Sequence, residues 1–177
     1  MNLDLSANDP CRLFLALWPD EEVTVQLSGH AKSWGWPQDC VRYAASDWHL
    51  TLQFIGSVPR SSIEDMQARL QIPFRPFSFA LSVPQIWPSG LAVLETTEVA
   101  PELQALHDRL NLALQHMQGT VDLRPFRPHV TLARHAQQAS SPKSTAPVIW
   151  RVRDYALVES TGLRTNRYQI LCRYPAA

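Results

Sequence analysis

Two short segments of the chain repeat each other, Trp48-His49-Leu50-Thr51-Leu52 and Pro128-His129-Val130-Thr131-Leu132. Both contain the pattern His-apolar-Thr-Leu, and their aliphatic and β-branched residues favour a strand. Residues two apart in a strand project from the same face, so each histidine shares a face with its threonine while the apolar residues face the core. Two such strands beside one cavity would present two imidazoles and two hydroxyls to a common centre.

This constellation suits a phosphodiester. An imidazole titrates near neutral pH, so one ring can take a proton from an attacking water or hydroxyl while the other, protonated, gives one to the leaving oxygen. The hydroxyls of Thr51 and Thr131 can donate hydrogen bonds to the non-bridging oxygens as charge builds. We therefore predict His49 and His129 as catalytic residues of a reaction that needs no cofactor.

A metal site is the competing use of a histidine pair. Zinc needs three or four ligands at suitable spacing, yet the chain has no His-x-His and no Cys-x-x-Cys, and Asp47 is the one carboxylate beside a motif. The three cysteines lack metal-type spacing and are typical of reduced thiols. A nucleophile-elbow pattern is also missing. We expect neither a metal nor a serine or cysteine nucleophile.

Length and composition indicate an ordinary globular protein. The chain has 177 residues, of which 45% are hydrophobic and 18% charged, and its net charge is zero. These values fit one domain over residues 1–177, either undivided or made of two lobes, and argue against a large electrostatic footprint for long duplexes. No apolar run is long enough to span a membrane, and Met1 to Pro10 lacks the features of a signal peptide. We expect a cytoplasmic monomer without membrane contact.

Hydrophobic periodicity and turn residues predict the element order β-α-β-α-β-β-α-β-β-β. The predicted strands are 11–18, 48–55, 77–83, 91–96, 129–133, 151–158 and 167–173, and the predicted helices open at Pro19, at a capping box of Ser61 and Glu64, and at Pro101, the last closing at Gly119. Adjacent strands in two places favour an α+β fold with mainly antiparallel sheets over a doubly wound one.

At these residues the chain resembles the 2H phosphoesterase superfamily, and within it the RNA 2′,3′-cyclic phosphodiesterases formerly called 2′-5′ RNA ligases. The resemblance is carried by Arg12-Leu13-Phe14, by His49-Leu50-Thr51-Leu52, by the segment from Pro125 to Arg134, and by the Arg167-Tyr168-x-x-Leu171 pattern. It runs from about residue 11 to residue 173. The paired tetrads are its specific part.

The resemblance implies a pseudo-symmetric, two-lobed fold in which each lobe brings one His-x-Thr strand to a central cleft. It also implies hydrolysis of 2′,3′-cyclic phosphates on RNA ends or nucleotides to 2′-phosphomonoesters. His129 would be the base and His49 the acid, although the pseudo-symmetry makes these roles interchangeable. Arg134 matches the arginine that follows the second motif in the family and is the candidate phosphate clamp, despite an i+5 spacing that faces away on an ideal strand.

Several other side chains are weaker candidates. Phe14, Arg127 and Tyr168 flank the motifs or lie in the closing strand, and we expect them to contact substrate. Strand alternation places Phe54 opposite His49. His107 lies on the amphipathic helix, where a boundary or solvent-facing position is expected.

Two other functions stay open. The same site would catalyse 2′-5′ ligation of tRNA halves if a 5′-hydroxyl replaced water. A non-catalytic RNA-binding module would also keep the cleft, although binding alone does not need two proton-transfer groups.

Overall fold

A computed structural model describes residues 9–117 and 124–177. Its strands are β1 (Pro10–Leu17), β2 (Val41–Arg42), β3 (Leu50–Pro59), β4 (Phe77–Leu81), β5 (Val83–Ile86), β6 (Ala92–Glu95), β7 (His129–Arg134), β8 (Val148–Val152), β9 (Asp154–Ser160) and β10 (Tyr168–Pro175). The helices are α1 (Glu21–Lys32), α2 (Ile63–Arg69) and α3 (Pro101–His116). The strand pairings within the described residues are all antiparallel, so the predicted α+β class with mainly antiparallel sheets is confirmed. The predicted helix end at Gly119 and most of the stretch from Met1 to Pro10 lie outside the described residues.

Three details differ from the sequence predictions. Strands β2 and β5 were not predicted, because β2 has two exposed residues and β5 carries a proline, so neither shows an apolar alternation. The predicted strand over 151–158 is two strands that belong to different sheets, β8 pairing with β4 and β9 with β1 and β10. Periodicity along one segment does not reveal such a change of partner.

The N-terminus of α1 is capped by a side chain of the local sequence, whereas that of α2 is not. Asp20 caps α1 by accepting a hydrogen bond from the backbone N–H of Val23 at 2.9 Å. The predicted capping box of Ser61 and Glu64 is wrong. A one-turn 3₁₀ helix over Arg60–Ser62 moves the start of α2 so that Ser62 occupies the N-cap, where it makes no capping hydrogen bond.

The two motif strands lie next to each other at the centre of an eight-stranded sheet. Its order is β10-β9-β1-β3-β7-β6-β5, with β2 paired to β7. One row of side chains crosses the four central strands, and its members Leu17, Leu50, Val130 and Leu94 pair in sequence and are fully buried. These residues belong to the main hydrophobic core together with the buried leucines of α3. The apolar residues of the two motifs therefore anchor them to the core from behind, as predicted.

Each motif strand also carries a β-bulge at its motif leucine. Next to β1, the pairing passes from Gln53 to Thr51 and skips Leu52. Next to β6, it passes from Ala133 to Thr131 and skips Leu132. An extra residue changes the alternation of faces beyond it, and this has consequences for the site.

Candidate active site

A cavity of about 620 Å³ lies over the junction of β3 and β7. The histidines and threonines of both motifs, His49, Thr51, His129 and Thr131, line it, and all four are half-buried. Residues from α3 and from the segments before β3 and β7 contribute the remaining walls. The two repeats that are 80 positions apart in the sequence are thus brought to one space.

The strand register arranges the four polar side chains as a crossed pair. Leu50 is the partner of Val130 in an antiparallel pairing, so His49 lies across from Thr131 and Thr51 lies across from His129. Facing residues of antiparallel strands have Cβ atoms about 5 Å apart. Each imidazole therefore has one threonine beside it on its own strand and another across the strand junction.

Both imidazoles are held in the same way. The Nδ1–H of His49 donates to the carbonyl oxygen of Asp47 at 2.7 Å, and the Nδ1–H of His129 donates to the carbonyl oxygen of Arg127 at 2.6 Å. A carbonyl oxygen only accepts, so Nδ1 must carry the hydrogen. In the neutral ring Nε2 then has a free lone pair, and each Nε2 is the atom that can accept or donate the proton of a reaction.

Aromatic rings surround His49. Trp18 stacks on it with centroids 5.2 Å apart and planes within 6°, and the rings of Phe14 and Tyr168 lie at 5.0 and 4.9 Å. Burial lowers the pKa of His49 from 6.5 to about 4; the hydrogen bond to Asp47 opposes this shift, and the charge of His129 adds to it. His49 is therefore an imidazole that resists protonation.

Charged and polar groups surround His129 instead. Trp87 lies against its ring with centroids 4.5 Å apart, and Glu95 is its partner in the β6–β7 pairing. Burial lowers the pKa of His129, whereas the hydrogen bond to Arg127 and the negative charge of Glu95 raise it and the Arg127 charge lowers it further. The two histidines have the same backbone support in different electrostatic surroundings.

Of the remaining predicted site residues, two line the cavity and two do not. Arg127 and Tyr168 line the cavity. Phe14 is buried and packs against His49 without contributing to the described lining. Arg134 ends β7, exposed and outside the described lining, although its charge lowers the pKa of the cavity residue Tyr168, whose pKa burial raises overall. The phosphate-binding role of Arg134 stays a prediction.

The structure adds residues that sequence reasoning placed elsewhere. Phe54 lines the cavity on the side of His49 and is 56% exposed, because the bulge at Leu52 reverses the expected alternation. His107 also lines the cavity, where its ring stacks on Phe126 with centroids 4.0 Å apart. Its position on a helix gave no local signal, since only the packing of α3 beside β3 brings it there.

Within residues 9–117 and 124–177, no group of three or more His, Cys, Asp or Glu side chains is placed to hold a metal ion. None of the helices described has both the length and the apolar character needed to cross a membrane.

A model of the 2′-5′ RNA ligase superfamily matches residues 27–163, which include both motifs. The chain belongs to this superfamily. The solved structures similar to this superfamily member include a crystal structure of a phosphoesterase, with 26% identity, a TM-score of 0.85 and coverage of 96% of this chain and 99% of that one. E. coli LigT complexed with 3′-AMP has 26% identity and a TM-score of 0.78 over 96% of this chain and 99% of its own.

A curated relative of this superfamily member is the RNA 2′,3′-cyclic phosphodiesterase of Geobacillus stearothermophilus. The two are 26% identical in an alignment of 148 positions that covers 73% of this chain and 45% of the relative. This chain therefore corresponds to less than half of that protein.

Proposed function

We propose that this protein hydrolyses 2′,3′-cyclic phosphates, on RNA ends or on nucleotides, to 2′-phosphomonoesters. The observation that carries the proposal is the crossed arrangement of His49, Thr51, His129 and Thr131 in one cavity, with Nδ1 of each imidazole engaged by a carbonyl. The name of the Geobacillus relative and the 3′-AMP bound to E. coli LigT support the substrate class.

The proposed reaction needs one neutral and one protonated imidazole. The neutral Nε2 takes a proton from water as the water oxygen bonds to phosphorus on the side opposite the 3′ oxygen. The bond from phosphorus to the 3′ oxygen breaks, and the protonated imidazole gives its proton to that oxygen. The product keeps the phosphate on the 2′ oxygen, and the two histidines have exchanged protonation states.

The threonines are proposed to bind the phosphate. A hydroxyl on each strand, Thr51 and Thr131, donates to a non-bridging oxygen and stabilises the charge that builds on it in the transition state. The anionic substrate also raises the pKa of a nearby imidazole, because an opposite charge favours the protonated form. Substrate binding thus offsets the lowering of both histidine pKa values that burial causes.

The aromatic walls are proposed to hold the nucleoside. Phe54 is a largely exposed ring that lines the cavity five residues beyond His49, and an exposed ring is a stacking platform for a base. Phe126 and Tyr168 offer further walls. Arg127 is proposed to contact the substrate and Arg134 to contact the phosphate.

Product analysis tests the proposal. Purified protein in EDTA is incubated with a 2′,3′-cyclic nucleotide and with an oligonucleotide that ends in a cyclic phosphate, and the phosphate position is read by ³¹P NMR. We expect 2′-phosphate from both and loss of turnover in His49→Ala and His129→Ala. Full activity in both variants would overturn the mechanism.

The same experiment separates the other two functions. Adding an RNA with a 5′-hydroxyl end would give a 2′-5′ linked product if the protein were a ligase. Tight binding of the cyclic nucleotide without turnover, unchanged in both alanine variants, would indicate a binding module.

A further inference from the structure

The surroundings of His49 and His129 differ in one carboxylate, Glu95, which lies outside both motifs. Glu95 ends β6 and is the register partner of His129, so both side chains lie on the cavity face of the sheet. Its side chain is 14% exposed and does not belong to the described lining of the cavity. A bound substrate would therefore be separated from it by its neighbours.

Those neighbours form a closed triangle with Glu95. The Nη2 nitrogen of Arg127 donates to both carboxylate oxygens, at 2.8 and 3.1 Å. The indole N–H of Trp87 donates to Oε1, and the Arg127 guanidinium lies over the Trp87 ring, 4.7 Å from its centroid. Each of the three side chains contacts the other two.

Two corners of this triangle touch His129 directly. The backbone carbonyl of Arg127 accepts the Nδ1–H bond of His129, and the Trp87 ring packs against the imidazole. Glu95 thus holds the indole that packs against the His129 ring, and it binds the side chain of the residue whose carbonyl accepts from Nδ1. It also brings the one negative charge that acts on this imidazole from β6.

The first half has a related group with the charges reversed. The residue two before His49 is the acidic partner, Asp47, which pairs with Arg167 at 3.7 Å, and the Arg167 guanidinium lies over the Tyr43 ring, 4.8 Å from its centroid. Aromatic rings, and not members of this ion pair, pack against the His49 imidazole. We propose that Glu95 is a positioning residue that breaks the pseudo-symmetry of the site: it orients His129 through Arg127 and Trp87 and makes His129 the proton donor, leaving His49 as the base.

This inference rests on the proposed function and reverses the order of base and acid that the family resemblance suggested. Other charged or titratable groups face the same cavity, namely Asp47, His49, His107, Arg124 and Arg127 besides the tyrosine phenols. Of these, Arg127 acts on His129 in the opposite sense to Glu95. Replacements of Glu95 and Arg127 are therefore expected to move the titration of His129 in opposite directions.

NMR titration of the imidazoles tests the positioning role without any need for activity. Long-range ¹H–¹⁵N spectra give the tautomer and the pKa of each histidine, assigned with His129→Asn and His49→Asn. In Glu95→Gln the pKa of His129 is expected to fall by about one unit, and in Arg127→Gln it is expected to rise. Opposite shifts do not arise from a general loosening of the fold. An unchanged His129 titration in both variants would overturn the proposal.

The pH dependence of kcat/KM tests whether His129 donates a proton to the leaving oxygen or accepts one from water. If His129 is the donor, Glu95→Gln moves the alkaline limb of the profile down by about one pH unit and lowers kcat/KM about tenfold above that limb. Glu95→Asp, which keeps the charge, restores most of this loss. A shift of the acid limb, or of neither limb, would overturn the donor assignment.

Asp154→Asn is the matched control. Like Glu95, Asp154 accepts two hydrogen bonds from one arginine nitrogen, here Nη1 of Arg173 at 3.0 and 3.2 Å. It lies in β9 and is not part of the described cavity lining. This variant is expected to leave both limbs and both histidine titrations unchanged. If the wild type shows no turnover while Glu95→Gln still shifts the His129 titration, the proposed function fails and the positioning role stands.

Discussion

The His49 half and the His129 half of the site have the same backbone plan and different surroundings. In each half a histidine donates from Nδ1 to the carbonyl two residues before it, and a bulge follows at the motif leucine. Yet aromatic rings enclose His49, whereas an ion pair and an indole surround His129. The repeated motif therefore sets where each imidazole lies, and residues outside the motif set how readily it holds a proton.

The largest expected effect tests whether the two halves work as a unit. His49→Ala and His129→Ala are each expected to lower kcat for a 2′,3′-cyclic nucleotide by about 10² to 10⁴-fold, since each removes one proton-transfer group. The double variant is expected to lose little more than either single one, because groups that act together are not additive. Steady-state kinetics on the three variants checks this. Losses that multiply in the double variant would contradict a concerted pair.

A smaller loss of kcat is expected when the threonine hydroxyls are removed. Thr51→Val and Thr131→Val keep the side-chain shape and remove one hydroxyl donor each, and losing a donor to a transition-state oxygen costs about 10² to 10³-fold in kcat. The crossed register puts each hydroxyl beside both imidazoles, so the two variants should be affected alike. Thr97→Val, at a hydroxyl paired with Ser82 outside the described lining, is the control. A loss confined to one half would show that the phosphate lies against one strand.

The part of the site that sequence predicted is the part that local alternation controls. Leu50 and Val130 are buried and the four polar motif residues face one cavity because a strand has two faces and each motif is short. Phe54 was misplaced because the bulge at Leu52 depends on hydrogen bonding to β1, a strand more than 30 residues away in sequence.

Residues brought in by tertiary packing had no such local signal. Glu95 ends a different strand, Trp87 lies in the turn before that strand, and His107 is on a helix. The pairing of β6 with β7 and the packing of α3 bring them to the site. The fold class, the three helices and the longer strands could be predicted because strand and helix periodicities are local. The short strands β2 and β5, and the assignment of β8 and β9 to different sheets, could not.

Removing an aromatic ring beside His49 tests whether the aromatic packing causes its low pKa. Trp18→Leu removes the stacked ring and admits water, so the pKa of His49 is expected to rise from about 4 towards 6.5, by about one unit. Imidazole NMR titration measures the shift, and the pKa of His129 should change less. Trp36→Leu is the control, since Trp36 is stacked on Trp34 rather than on a motif residue. An unchanged His49 titration in Trp18→Leu would show that the stack does not cause the desolvation.

A further effect concerns stability in acid, and it extends the comparison to a histidine outside the site. Burial lowers the pKa of His30, as it does for His49 and His129. A histidine with a lowered folded-state pKa contributes stability above its unfolded value of about 6.5, and this contribution is lost as pH falls towards the folded value. We expect urea unfolding to show a loss of stability between pH 7.5 and pH 4.5, to which His49 contributes roughly 2 to 3 kcal/mol because its pKa is lowered from 6.5 to about 4. His49→Gln should reduce that loss more than His30→Gln, because the pKa of His49 is lowered to about 4. A loss that is the same in the wild type and both variants would mean that carboxylates, and not these imidazoles, govern the acid limb of stability.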